Sequence, residues 1–168
     1  MNTVTFKGNV FHLEGEMPAL NSKIKAFSLL ANDLSAKTQK DYEGKVLVLV
    51  AVPSLDTGVC DMEVRKFNEK AASLSDDVRI VAVSLDLPFA QSRWCGAAGV
   101  KNVETLSDHY SAEFGKTYGV LIKELRLLAR SMILFHHQLL YEYSQKAKLL
   151  LMHYISIDKI YYNIYMFY

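Results

Sequence analysis

Two cysteines, Cys60 and Cys95, are the side chains of this sequence best suited to covalent chemistry. Cys60 closes the string Pro53-Ser-Leu-Asp-Thr57-Gly-Val-Cys60, between the apolar stretch Val46 to Val52 and a charged segment patterned as a helix. That spacing predicts a cysteine in the first turn of a helix. Backbone N–H groups there lack intrahelical partners and the helix dipole favours negative charge, so a thiolate at Cys60 is stabilised and nucleophilic. A lone cysteine beneath a helix is more often packing than chemistry, so its surroundings must decide.

The elements that must position Cys60 are readable on either side of it. Val46-Leu-Val-Leu-Val-Ala-Val52 is short, continuous and β-branched, as expected of a strand covered on both faces. After it, Cys60, Val64, Phe67, Ala71 and Leu74 form one helical stripe, with Asp61, Glu63, Arg65, Lys66, Glu69 and Lys70 on the remaining surface. Cys60 thus lies where the buried stripe meets the open helix end. Burial at that junction opposes the charged form, so a cation or a hydroxyl is needed to keep the sulfur ionised. Thr57, three residues earlier, can cap the helix or direct its hydroxyl at the sulfur.

The rest of the chain reads as alternating strands and helices. Thr3 to Phe6 and Phe11 to Leu13, separated around Gly8-Asn9, predict an N-terminal hairpin, and Ala26 to Leu30 a further strand. Val78 to Val83 is a second buried strand. Asp86 and Pro88 open a helix as cap and first-turn proline; it carries Phe89, Trp94 and Cys95 and stops at Gly99. Val103 to Leu106 is a strand, and Ala112 to Tyr118 a short helix ending at Gly119. This alternation specifies an α/β sandwich. With no repeat and no linker, residues 1–168 read as a single domain, with 144–168 an atypical C-terminal segment.

VPSLDTGVCDMEVRKFN, PFAQSRWCGAAG, TLSDH at Thr105 to His109 and LRLLARS around Arg130 together resemble the thiol peroxidases, the bacterial atypical two-cysteine peroxiredoxins. The resemblance runs from about Thr3 to Ser131. It implies a thioredoxin-like sandwich with a central mixed sheet, flanking helices and an N-terminal hairpin. It further implies reduction of hydrogen peroxide and organic hydroperoxides. Cys60 would become a sulfenic acid, Cys95 would resolve it as an intramolecular disulfide, and thioredoxin would restore the pair by exchange. Arg130 matches the family's L-A-R-[AS] arginine, which would favour the thiolate and hydrogen-bond a peroxide oxygen. Arg126 is a weaker rival. Pro53 would stiffen the loop and shield the sulfur from water, and Thr57 would be the third helper. The resemblance also implies a homodimer; no cofactor is expected, and from its composition the chain reads as cytoplasmic.

Composition sets the outer limits. A chain of 168 residues with 51% hydrophobic content can bury about 70% of its unfolded surface. A formal charge of +1 gives no reason to invoke nucleic acid or an acidic membrane surface. Met1 to Phe11 shows no secretory h-region, and no stretch approaches the roughly 18 apolar residues of a membrane span. Gly115-Lys116-Thr117 imitates the end of a phosphate loop, but Tyr110 stands where the earlier glycine belongs. His136-His137 sits at no metal-ligand spacing with a cysteine, and Ser107-Asp108-His109 reads as loop and cap rather than hydrolase triad. Trp94 reads as core or dimer packing.

Two other functional classes compete. A non-catalytic redox sensor or interaction protein would keep the fold with Arg130 misplaced. A thioredoxin-type reductase lacks its C-x-x-C pair here. The chain departs from the family at Ser22-Lys-Ile-Lys-Ala-Phe27 and again beyond Ser131. There Met132 to Phe135, His136 to Gln138 and Leu139 to Tyr143 predict strand, turn and strand, and Gln145 to His153 part of a helix. The stretch Tyr161 to Tyr168 is aromatic and low in charge. Such a segment must be buried, paired, or prone to aggregate.

Overall fold

The computed structural model describes residues 2–19, 22–135 and 163–167. Strands β1 (Thr3–Phe6) and β2 (Asn9–Glu14) form the hairpin, and β3 (Ser28–Leu30) and β4 (Ala36–Thr38) a second antiparallel pair. Then follow β5 (Val46–Ala51), α1 (Gly58–Ala71), β6 (Val78–Ser84), α2 (Pro88–Ala98), β7 (Glu104–Ser107) and α3 (Glu113–Thr117). Strands β8 (Leu121–Ile122), β9 (Leu127–Leu128), β10 (Ser131–Phe135) and β11 (Asn163–Phe167) complete the order. The hairpin turn is Lys7-Gly8, one residue earlier than the sequence suggested. Both residues have positive φ, 48° and 82°, the pairing a tight two-residue turn needs.

A seven-stranded mixed sheet runs β11-β10-β5-β6-β7-β3-β4, and a smaller sheet runs β1-β2-β8-β9. β5, β6 and β7 are parallel, while β10 lies antiparallel to β5 with Met132 opposite Val50. Every residue of β5 is buried. Strand alternation divides them between two cores. Leu47, Leu49 and Ala51 pack with Phe114 and Tyr118 near α3, whereas Val46, Val48 and Val50 pack with Cys60, Val64 and Phe67 of α1 and Trp94 of α2. This sandwich is the architecture expected from the alternation of elements.

Short elements escaped the periodicity. β4, the 3-10 turn Gln39–Tyr42, β8 and β9 are too brief to show a repeat. The aromatic segment pairs in parallel with β10, Asn163 opposite Ser131 and Phe167 opposite Phe135. The expected turn at 136–138, strand at 139–143 and helix at 145–153, with His136 and His137, lie outside the described residues. Among the described residues no helix is long and apolar enough to cross a membrane.

Gly119 (φ 63°) fastens the chain after α3 to the segment after β2, because a Cβ there would stand 2.5 Å from Met17 N. Gly119→Ala therefore meets both left-handed strain and backbone overlap. It should lower stability by about 1–3 kcal/mol, read as a fall in the urea midpoint; an unchanged midpoint would contradict the close approach.

Candidate active site

The parallel strands β5, β6 and β7 deliver three loops to one edge of the sheet, the place where α/β folds gather their reactive groups. Pro53 follows β5 and is buried, ending the ladder because it has no N–H to offer. The next residues turn into α1 at Gly58, with Thr57 at the N-cap position. Cys60 is the third residue of that helix and is 0% exposed. Its sulfur lies where N–H groups of the first turn are unpaired by the helix itself.

Arg130, the residue before β10, reaches the same point from the neighbouring strand. Its Nη2 donates to Cys60 Sγ at 3.4 Å, and its Nε lies 2.9 Å from Glu63 Oε2. Glu63 is 2% exposed. Sequence patterning placed it on the charged, solvent-facing side of α1. The signal that it faces inward is its spacing of three from Cys60, which puts both on one side of the helix. A carboxylate removed from water needs a cation, and here the cation is the one that touches the sulfur.

Thr57 occupies the N-cap position, but its hydroxyl donates to Ser54 O at 2.9 Å and neither donates to the sulfur nor accepts from a helix N–H. The hydroxyl oxygen keeps its acceptor lone pairs. Asp86 does not cap α2, whose N-cap is Leu87. Its carboxylate instead accepts from Ser54 Oγ (2.8 Å), Leu55 N (2.8 Å) and Ser84 Oγ (2.8 Å), fixing the loop that leads to Cys60. Buried Gln91 extends this network by donating to Ser84 Oγ and Leu106 O. An aspartate two residues before proline suggested a helix cap; only the tertiary fold shows which loop it serves.

Cys95 lies near the end of α2, half-buried, and both cysteines are free thiols. Its sulfur sits 3.4 Å from Thr105 Oγ1, which is also hydrogen-bonded to Asn32. Cys95 packs against the same apolar cluster that contains Cys60. Trp94, 7% exposed, belongs to that cluster, in line with the core role expected of it.

The remaining candidates sit elsewhere. Arg126 donates to His109 O and Tyr110 O and bonds the loop after β7, not the sulfur. Asp108 accepts from Phe114 N and Gly115 N, so it caps α3 and pairs the N–H groups at its start. Burial pushes its carboxyl above the usual range, the two N–H groups opposing that shift. Among the described residues no cluster of histidine, cysteine or carboxylate side chains is arranged to hold a metal ion.

A buried thiol at a helix start, touched by an arginine and accompanied by a second free thiol, is an arrangement for thiol redox chemistry. The Redoxin family model matches residues 19–147. The chain is 53% identical over 136 residues to a thiol peroxidase of Halalkalibacterium halodurans, covering 81% of each protein. It is 51% identical over 131 residues to the thiol peroxidase of Bacillus subtilis, covering 78% of each. Among solved structures it is similar to a peroxiredoxin-like protein from Aquifex aeolicus, with a TM-score of 0.73, 37% identity and coverage of 79% of this chain and 78% of that one. Sequence, fold and relatives agree: the chain belongs to the Redoxin family, among its thiol peroxidases.

Proposed function

We propose that this thioredoxin-dependent peroxidase works through Cys60 as the thiol that meets peroxide and Cys95 as the thiol that resolves it. The contact between Arg130 Nη2 and Cys60 Sγ at the start of α1 carries this reading. The Cys60 thiolate attacks one oxygen of hydrogen peroxide or an organic hydroperoxide, the O–O bond breaks, and the departing oxygen takes a proton to leave as water or alcohol. Arg130 stabilises the charge that develops on the oxygens. The Thr57 hydroxyl, donating to Ser54 O, offers its lone pairs to the peroxide O–H.

Cys60 is then a sulfenic acid. The Cys95 sulfur attacks it, a disulfide forms and water leaves. Thioredoxin supplies two electrons through a mixed disulfide and returns both thiols. Because Cys60 is fully buried in the reduced fold, peroxide reaches it through a movement of the loop at 53–57 or its neighbours. Pro53 narrows the conformations open to that loop. Recycling by a thioredoxin-like dithiol, with both thiols free in the reduced protein, supports a cytoplasmic setting. A redox sensor with Arg130 misplaced is disfavoured by the 3.4 Å contact.

A second copy of this chain is the proposed partner. Val59 and Met62 on α1, Leu87 and Phe89 at the start of α2, and Tyr110 after β7 are all exposed at the sheet edge that carries the site. Apolar groups grouped in this way favour an interface over solvent.

Cys60→Ser should abolish peroxide consumption, whereas Cys95→Ser should allow one turnover and leave oxidised Cys60, detected by mass spectrometry; equal activity of the two variants contradicts the assignment. Arg130→Ala should reduce kcat/KM for hydrogen peroxide by about 10²–10³-fold. Arg130→Lys should restore little, since a point charge cannot serve Glu63 and the sulfur together; stopped-flow peroxide consumption by both variants tests this. Phe89→Glu should turn a dimer into a monomer in sedimentation velocity, and a monomeric parent protein would remove the dimer from this proposal.

A further inference from the structure

Residues one peptide bond away from each cysteine are tied to each other. Asp61 follows Cys60, Trp94 precedes Cys95, and Trp94 Nε1 donates to Asp61 Oδ1 at 2.9 Å. Arg65 tightens this link: its Nε donates to the Asp61 carboxylate at 2.9 Å, its Nη1 donates to Ala98 O at 2.9 Å, and its guanidinium lies 5.8 Å from the centre of the Trp94 ring. One turn of α1, closed by its own Asp61–Arg65 pair, is thereby bonded to the last turns of α2 by an indole N–H, a carbonyl contact and a cation–π contact. Meanwhile the two sulfurs have separate partners, Cys60 with Arg130 and Cys95 with Thr105.

A disulfide requires its two Cβ atoms to approach within about 3.5–4.5 Å. The two thiols are free and each sulfur has its own partner, so each cysteine must leave that partner for the disulfide to form, and the bonds between their neighbours across the helices resist that movement. We propose that Asp61, Arg65 and Trp94 form a latch that must open between sulfenic acid and disulfide. Its strength then sets how Cys60 divides between two fates. In one, Cys95 attacks the sulfenic sulfur, an S–S bond forms and water is released. In the other, a second peroxide molecule transfers an oxygen to the sulfenic sulfur, its O–O bond breaks, and a sulfinic acid and water or alcohol result. A firm latch slows the first route and leaves the second untouched. Asp61, Arg65 and Trp94 are positioning residues, since none of them touches the reacting atoms.

This inference rests on the roles assigned to Cys60 and Cys95. Trp94→Phe removes the indole N–H but keeps an aromatic ring in the apolar cluster, and Arg65→Met keeps the stem but removes the guanidinium. The experiment exposes the reduced full-length parent and both variants to a graded excess of hydrogen peroxide without thioredoxin. Mass spectrometry then measures the ratio of Cys60–Cys95 disulfide to Cys60 sulfinic acid, and stopped-flow mixing measures the first oxidation step. Loss of a hydrogen bond to a charged acceptor should raise the ratio by about tenfold. The rate constant of the first step in Trp94→Phe should equal that of the parent. A ratio unchanged or lowered in both variants would overturn the latch. Structural damage is distinguishable because it would slow the first step. Absence of the disulfide from the parent would instead overturn the assigned cysteine roles.

Discussion

The contact between a guanidinium and a buried sulfur organises this molecule. Cys60 lies at the start of α1 with no exposed surface, and burial there opposes a negative charge. Arg130 answers that opposition from the strand beside β5, and Glu63 holds Arg130 in turn. The triad spans a helix and the residue that opens a strand, so the antiparallel register of β10 with β5 is a condition of the chemistry. A shift of that register by one residue would reverse which face each β10 side chain meets and draw Arg130 from the sulfur.

The loop before Cys60 shows a second layer of the same constraint. Its backbone and side chains are fixed by Asp86, a residue of the next strand-to-helix connection, through Ser54 and Leu55. Ser84 and Gln91 fix Asp86 and the start of α2 in their turn. Cys60 and Cys95 therefore stand on helices whose entry loops share one carboxylate. Short polar bonds of this kind rigidify a site, and here Gln91 contributes through Nε2 alone, its Oε1 being buried with no hydrogen-bond partner among the described residues.

Continuous β-branched runs and amphipathic stripes make β5, β6, α1 and α2 legible in the sequence, because burial on both faces leaves an unbroken apolar run and burial on one face leaves a period. The string around Cys60 also carried its own chemistry. Glu63 was not readable as a buried residue, since a carboxylate in a charged helix has the composition of a solvated face and only its tertiary partner reverses that. Asp86 was misread for a related reason: local sequence offers a helix cap, and the fold offers a better set of donors on another loop. Thr57 occupied its expected position with a different hydrogen bond, which depends on the turn geometry at Ser54. β8 and β9, two residues each, exist through pairing with β2 and with each other and leave no periodic trace.

β11 gives the large sheet its outer margin. It pairs in parallel with β10, Asn163 opposite Ser131, across a long separation along the chain. Pairing two segments so far apart in sequence is slow compared with forming local contacts. Until they pair, β10 presents a row of unsatisfied amides and carbonyls to any other extended polypeptide. Newly made molecules thus pass through an adhesive stage whose duration depends on how soon the distant segment arrives. Crowded synthesis should favour entanglement between neighbours, while dilution should favour self-completion.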